Sequence, residues 1–362
     1  MLSPLSAVQS ITPAFEQTKR QLFKPFRMSH WARLAVVSLV TGEFAGSSGG
    51  WGGGKFPAPQ GRGKRDLFAL LSADPTWDRI QEFLPWIALG ILILLTLFVL
   101  WIYSASIYRF ILFASVLYDR CELRAGWRRW KPQGRSYFLW SIGFAFATLI
   151  AAGVLIGAPI IFAFASGIFA QPRQHLVLLI AGGLLLLLLV ILLFVAAAVI
   201  GLFAKDFAVP VMALENVGIL GAWRRVLPLL AADKLAYAGY VLMKMLLAVG
   251  SAIIFGIINL LALLGLLIPL GIGGAALYFV AKAAGLTWNA GTISVVVALG
   301  VFILTGLFYV VALISSPAMV FFQSYTLHFF GSRYPLLGAL VFPVPPRPAP
   351  TVPPAPAPLP AT

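Results

Sequence analysis

One segment constrains this chain more than any other. Residues 175–204 form a thirty-residue block in which the leading histidine is the only ionisable side chain, and the block contains the run LLLLLLVILLFVAAAVI. An α-helix needs about 20 apolar residues to cross the hydrocarbon core of a bilayer. The block therefore predicts a membrane-spanning helix.

The composition of the chain agrees with this interpretation. Apolar residues make up 60% of the 362 residues and charged residues 10%, whereas a soluble domain carries about 25% charged residues. The formal net charge of +15 is typical of membrane proteins, which concentrate Lys and Arg in cytoplasmic loops, so we do not expect a nucleic-acid partner. The single cysteine, Cys121, excludes an intrachain disulfide and a cysteine-rich metal site. We expect no cofactor and no metal.

The same length criterion predicts further spans. Clear candidates are residues 85–108, 137–164, 175–204, 236–262 and 292–315. Residues 31–45 are apolar but short, and residues 263–285 are interrupted by Pro269 and several glycines. The second of these segments can be a short helix, a re-entrant piece or a full span. We therefore expect an all-α, polytopic transmembrane helix bundle with six spans, and seven spans as the alternative.

Basic residues predict the orientation. They are concentrated in the N-terminal segment and in the connections 109–136 and 205–235, which we therefore place on the cytoplasmic side. This predicts a multi-pass protein of the cell (inner) membrane with a cytoplasmic N-terminus. The orientation requires residues 31–45 to cross the bilayer, although residues 46–83, then outside, carry five basic residues.

An internal repeat organises the predicted membrane domain, residues 1–340. A shift of 96 residues superimposes Asp119 on Glu215 and the motif Trp-Arg-Arg at 127–129 on the same motif at 223–225. A shift of 107 residues superimposes Pro210 on Pro317. We therefore predict three tandem helical hairpins, at about 14–120, 121–216 and 217–330. A Gly-rich loop (46–64) and a Pro-rich, disordered tail (341–362) complete the organisation.

The repeated motif predicts contact with lipid headgroups, because Trp favours the membrane interface and Arg beside it reaches phosphate. The residues concerned are Trp127, Arg128, Arg129, Trp223, Arg224 and Arg225. Two interpretations stay open, specific binding of anionic lipid and general interfacial anchoring.

Lys244 is the side chain that most favours a functional site. It lies about 12 Å into the predicted span 236–262, by helical rise. A charge near the middle of a bilayer costs roughly 2.5–3.5 kcal/mol, so such residues are candidates for ligand binding. We name Glu215 and Asp119, the repeat-related acids, as its expected partners. The alternative is that the lysine ammonium reaches the interface along its own stem.

The stretch DFAVPVMALENVGILGAWRRVLPLL carries a family resemblance. Its order of span, proline, acid and Trp-Arg amphipathic helix resembles a broad group of prokaryotic polytopic membrane domains of unknown function. That group includes the membrane domain attached to some glycerophosphodiester phosphodiesterases. The resemblance implies a six-helix membrane domain without an established activity. The catalytic barrel of those enzymes has no counterpart here, so phosphodiesterase activity is not implied.

We find no nucleophile–base pair and no metal-ligand cluster in the sequence, and therefore predict that the protein is not an enzyme. The expected function is that of a scaffold or accessory subunit that interacts with membrane lipids or other membrane proteins. The alternative is a membrane transporter or channel with a polar site around Lys244 and Glu215.

Overall fold

The computed structural model describes residues 4–24, 28–42, 77–168, 175–285 and 289–342, and every regular element in these ranges is helical. The Gly-rich loop 46–64 and all but the first two residues of the tail 341–362 lie outside the described residues. In chain order the elements are α1 (Ile11–Phe23), α2 (Met28–Thr41), α3 (Trp77–Tyr118), α4 (Leu123–Ala165), α5 (Leu176–Phe203), a π-helix (Ala204–Ala208), α6 (Val209–Glu215), α7 (Ile219–Ala232), α8 (Lys234–Ala283), α9 (Ala290–Gly331) and α10 (Pro335–Val341).

Five continuous helical stretches in the described part of the chain are long and apolar enough to cross a membrane. They belong to α3, to α4, to α5 with its continuation through α6, to α8 and to α9. This confirms the predicted all-α fold with several membrane-length helices. The most apolar 18-residue windows of these stretches are 0 to 6% buried within the chain. We call these exposed halves of the helices the apolar arms.

The buried core lies at the opposite ends of the same helices. It is formed by α1 and α2, the C-terminal halves of α3 and α9, the N-terminal parts of α4 and α8, and the elements from the π-helix to α7. Its largest fully buried side chains are mainly Tyr and Phe. We call this region the packed end.

Amphipathic α1 covers the packed end because its buried residues recur at helical spacing, with Ala14, Thr18 and Leu22 on one face. Two glutamines on α1 cap the C-terminus of α3. The side-chain amides of Gln17 and Gln21 donate to the carbonyl oxygens of Val116 and Ser115, each at 2.9 Å. These carbonyls belong to the last turn of α3, where a carbonyl oxygen has no N–H donor within its own helix.

Helix α2 is fixed to α9 in a similar way. The indole N–H of Trp31 donates to the carbonyl oxygen of Leu313 at 2.9 Å. That carbonyl is available because residue 317, four positions later, is a proline without an N–H.

Two features of the predicted span pattern change in the structure. Residues 263–285 are almost entirely a continuation of α8, whose 50 residues run through Pro269 without a break. This excludes a separate short helix or re-entrant segment there. Helix α2 has 14 residues, fewer than the about 20 that a span requires. A sixth span at 31–45, and the three-hairpin repeat, therefore stay predictions.

Candidate functional site

The centre of the packed end contains an acid that the sequence analysis did not single out. Asp206 lies in the π-helix that follows the leucine-rich α5 and is 2% exposed. Pro210, four residues later, lies in the first turn of α6 and cannot supply an N–H to the carbonyl of residue 206. The helix widens at this point, and π-turns within α-helices occur frequently at functional sites.

Lys244 of α8 pairs with this acid. Its Nζ lies 2.5 Å from Asp206 Oδ2, and both side chains are almost fully buried. The ammonium also donates to the hydroxyl of Tyr240 at 3.2 Å and to that of Thr326 at 3.4 Å. The lysine is therefore held by three oxygens from three different helical segments. The ammonium is therefore satisfied inside the packed end and does not reach the interface along its own stem.

The two hydroxyl groups connect the ion pair to α9. Tyr240 donates to Asp206 Oδ2 at 2.9 Å, and its hydroxyl lies 2.8 Å from Thr326 Oγ1. The Tyr240 ring stacks on Tyr325 at a centroid distance of 5.3 Å and on Phe329 at 4.6 Å. This aromatic wall separates the charges from the surroundings, which strengthens their attraction and makes an unpaired partner costly. We call Asp206, Tyr240, Lys244 and Thr326 the buried network.

The predicted partners of Lys244 are therefore wrong. Glu215 lies nine residues after Asp206, about 13 Å along the helix axis, where it contacts Arg225 and the hydroxyl of Tyr334. Asp119 is an exposed turn residue with φ of 56° between α3 and α4. The repeat matches these two acids because each lies at or just after the C-terminus of a helix, whereas Lys244 lies 10 residues inside α8.

Glu215 forms a second polar cluster with Arg225 and Tyr334 at the edge of the packed end, which we call the rim. The carboxylate side chain is 9% exposed, whereas that of Arg225 is 52% exposed. Burial raises the pKa of the Tyr334 phenol above its usual value, and the Arg225 guanidinium partly opposes that increase. Tyr334 therefore stays protonated at neutral pH and donates to the carboxylate.

The predicted lipid-contact residues have the same exposure in both motifs. Trp127 and Trp223 are half-buried, and the following arginine pairs are exposed, in agreement with the 96-residue repeat. The half-buried indoles pack on aromatic neighbours: Trp127 on Tyr103 and Tyr108, and Trp223 on Trp140. Contact with lipid headgroups remains a prediction. In the described ranges, no group of three or more His, Cys, Asp or Glu side chains is placed to hold a metal ion.

Asp206 could have been found from the sequence by one signal. It is the only acid in the continuous helical stretch Leu176–Glu215 before its last residue, and it precedes Pro210 by four positions. The predicted span 175–204 ends two positions before Asp206 and therefore does not include it.

Comparison with family models identifies the chain at the level of its family. One model, described as a family of unknown function (DUF7544), matches residues 5–340. Comparisons with curated proteins and with solved structures give no match. The resemblance to the membrane domain of glycerophosphodiester phosphodiesterases therefore stays a prediction. Because the family model matches nearly the whole length, the chain belongs to this family of unknown function.

Proposed function

We propose that this protein is a non-enzymatic integral membrane scaffold or accessory subunit, whose apolar arms receive lipid or the helices of other membrane proteins. The observation that carries the proposal is the near absence of burial in the arms, 0 to 6% over the most apolar windows. Helices that form their own bundle bury a face against one another at high packing density. Arms in which nearly all residues stay exposed or only half-buried are suited to partners outside the chain.

The polar residues support the same proposal. Lys244 is neutralised by Asp206 and Glu215 by Arg225, so each charged group that suggested a solute site has an internal partner. Such closed pairs hold the packed end together and leave the arms as the surface for association.

Purification in a mild non-ionic detergent tests the proposal. We expect a stoichiometric second membrane polypeptide to elute with the protein, identified by mass spectrometry and by the mass of the complex from light scattering. The matched control is the same preparation after exchange into a harsh detergent, which should release the partner. A chain that elutes alone in the mild detergent, with only lipid and detergent mass added, contradicts the scaffold proposal.

We further propose that the packed end faces the cytoplasm and that the C-terminal end of α4, at Ser166, faces the opposite side of the membrane. The basic motifs at 127–129 and 223–225 lie at the packed end, which supports this orientation. A Ser166→Cys variant in a Cys121→Ser background tests it, because Ser166 is exposed at the end of α4. We expect a membrane-impermeant maleimide to label it on intact cells. Labelling only after lysis contradicts this orientation.

A transporter remains the second candidate, because a buried ion pair lies on a π-helix within an otherwise apolar stretch. The buried hydroxyl of Tyr325, whose ring stacks on Tyr240 of the buried network, has no hydrogen-bond partner within the described residues. Proteoliposome flux of protons and alkali cations would separate the two proposals. Flux that disappears in the charge-neutral double variant Asp206→Asn, Lys244→Met favours transport, whereas equal leakage in both preparations contradicts it.

A further inference from the structure

A groove between α4 and α7 offers a specific site at the edge of the packed end. It is lined by Ser136, Leu139 and Trp140 of α4 and by the first turn of α7, Gly218–Gly221, and has a volume of about 360 Å³. Leu139 and Leu220 are 58% and 69% exposed, so the groove opens to the surroundings along an apolar floor. We call it the α4–α7 groove.

Two of the four residues in the first turn of α7 that line the groove are glycines. Gly218 is the N-cap of α7 and provides no capping side chain, and Gly221 completes the first turn. The N–H of Ile219 donates to Ser136 Oγ at 3.1 Å. The remaining N–H groups of a first helical turn have no acceptor within their helix, and they attract anions.

Two exposed arginines give the groove its charge. Arg224 lies three and four residues after Gly221 and Leu220, and Arg135 lies four residues before Leu139, so each shares a helix face with the groove lining. Both are exposed. An apolar floor with a helix N-terminus in its lining and two exposed arginines on the adjoining helix faces is complementary to an acyl chain attached to a phosphate.

A buried amide pair joins α4 to the segment that leads into α7. Gln133 lies one turn before Ser136 on α4 and is 8% exposed. Its Nε2 donates to Asn216 Oδ1, two residues before Gly218. Neither residue lines the groove, so the pair fixes the two walls of the groove relative to each other.

We propose that the α4–α7 groove binds one anionic phospholipid, its phosphate near Arg224 and the first turn of α7 and its acyl chain along Leu139 and Trp140. The proposal deepens the proposed function, on which it rests, by naming the lipid class and its place. It differs from general interfacial anchoring, because it predicts a stoichiometry of one lipid and a dependence on single groove residues.

Native mass spectrometry of the full chain, reconstituted with equal amounts of dioleoyl phosphatidylglycerol and dioleoyl phosphatidylcholine, tests the site. We expect one retained phosphatidylglycerol in clear excess over phosphatidylcholine. Leu220→Trp fills the groove and should abolish the excess. The matched control Leu227→Trp lies on the same helix, outside the groove lining and at 55% exposure, and should preserve it. Arg224→Gln should lower the excess about fivefold, the effect of one basic residue near an anionic lipid.

Three results would overturn the proposal. The first is equal retention of the two lipids by the unmodified protein. The second is equal loss in Leu220→Trp and Leu227→Trp, which would indicate non-specific annular lipid. The third is a co-purifying polypeptide that Leu220→Trp displaces, which would assign the groove to a partner helix. Because both tryptophan substitutions replace exposed leucines, unchanged helicity by circular dichroism checks that the variants fold. Failure of lipid selection would leave the co-purification test of the scaffold unaffected.

Discussion

The packed end and the apolar arms belong to the same helices but are built by different physical rules. The packed end contains stacked Tyr and Phe rings, a buried ion pair and side chains that cap helix carbonyls. The arms contain Leu, Ile, Val and Gly with hardly any buried residue. Lipid tails are as apolar as these side chains, so burial alone does not drive the arms together.

This contrast locates the specificity of the fold at the packed end. Hydrogen bonds and close aromatic packing can distinguish one arrangement of helices from another, and among the described residues the densest group of both lies at the packed end. The arms keep a surface that partners can occupy. Substitutions at the packed end should therefore change stability strongly, and equivalent substitutions in the arms should change it little.

The largest effect is expected for the buried ion pair. Lys244→Met leaves the carboxylate of Asp206 without its cation inside the aromatic wall, and breaking such a pair costs about 3–5 kcal/mol. We expect a large fall in the midpoint of thermal unfolding, measured by circular dichroism in detergent. Lys282→Met, on the exposed end of the same helix, is the matched control and should leave the midpoint nearly unchanged.

The double variant Asp206→Leu, Lys244→Met sharpens this prediction. Replacing both partners removes the uncompensated charge, so the double variant should be more stable than Lys244→Met alone. If both behave alike, the ion pair is not what links the π-helix to α8.

A second prediction compares two glycines on α4. A Cβ atom at Gly134 would lie 2.5 Å from the side chain of Ile107 on α3, whereas a Cβ at Gly143 meets nothing within 4 Å. Overpacking costs about 1–3 kcal/mol, so Gly134→Ala should lower the unfolding midpoint. Gly143→Ala should raise it slightly or leave it unchanged, because alanine favours the helix. Equal effects at both positions would mean that α3 and α4 are not in close contact.

Much of the fold could be predicted from the sequence, because membrane-length apolar runs have few alternatives. The five clear spans fall on the five helices, and of the two alternatives for Lys244 the structure shows the buried one. The continuation of α8 through Pro269 was not predicted, because a proline in an apolar helix is compatible with either a break or a kink.

The partner of Lys244 could not be predicted because it depends on the register of one helix against another. Asp206 and Lys244 are separated by 38 residues and by a change of helix type. Periodicity within a segment indicates which face is apolar but not how far a helix is shifted along its neighbour. The repeat suggested Glu215 and Asp119 because it matches equivalent positions of different units. The buried network instead joins the end of the predicted unit 121–216 to the beginning of the predicted unit 217–330. Through Thr326 it also includes α9, the last long helix of that second unit.

A third prediction concerns the ion pair at the rim. Arg225 is half exposed where it contacts Glu215, whereas Lys244 is buried. Exposed ion pairs contribute about 0–1 kcal/mol, so Arg225→Gln should change the unfolding midpoint much less than Lys244→Met. Equivalent thermal scans at high and low salt provide the check, because only the rim pair should be sensitive to screening. A salt-insensitive loss as large as that of Lys244→Met would place Arg225 in the core.

The smallest effect, a change in reactivity rather than in stability, is expected for Cys121 between α3 and α4. The thiol is buried, and burial raises its pKa above the usual value, opposed in part by a hydrogen bond from Ser115 and by the nearby Arg33. The thiolate is the reactive form, so a raised pKa lowers its fraction at neutral pH, and the labelling rate should still be rising above pH 9.

In purified protein, Cys121 should therefore react with maleimide at least about tenfold more slowly than Ser166→Cys in a Cys121→Ser background, because only the latter combines exposure with an unshielded thiolate. Denaturation should make the two rates equal. Rates that are already equal in the folded protein would show that the packed end opens readily at this turn. The packed end would then be as accessible near Cys121 as the arms are at position 166.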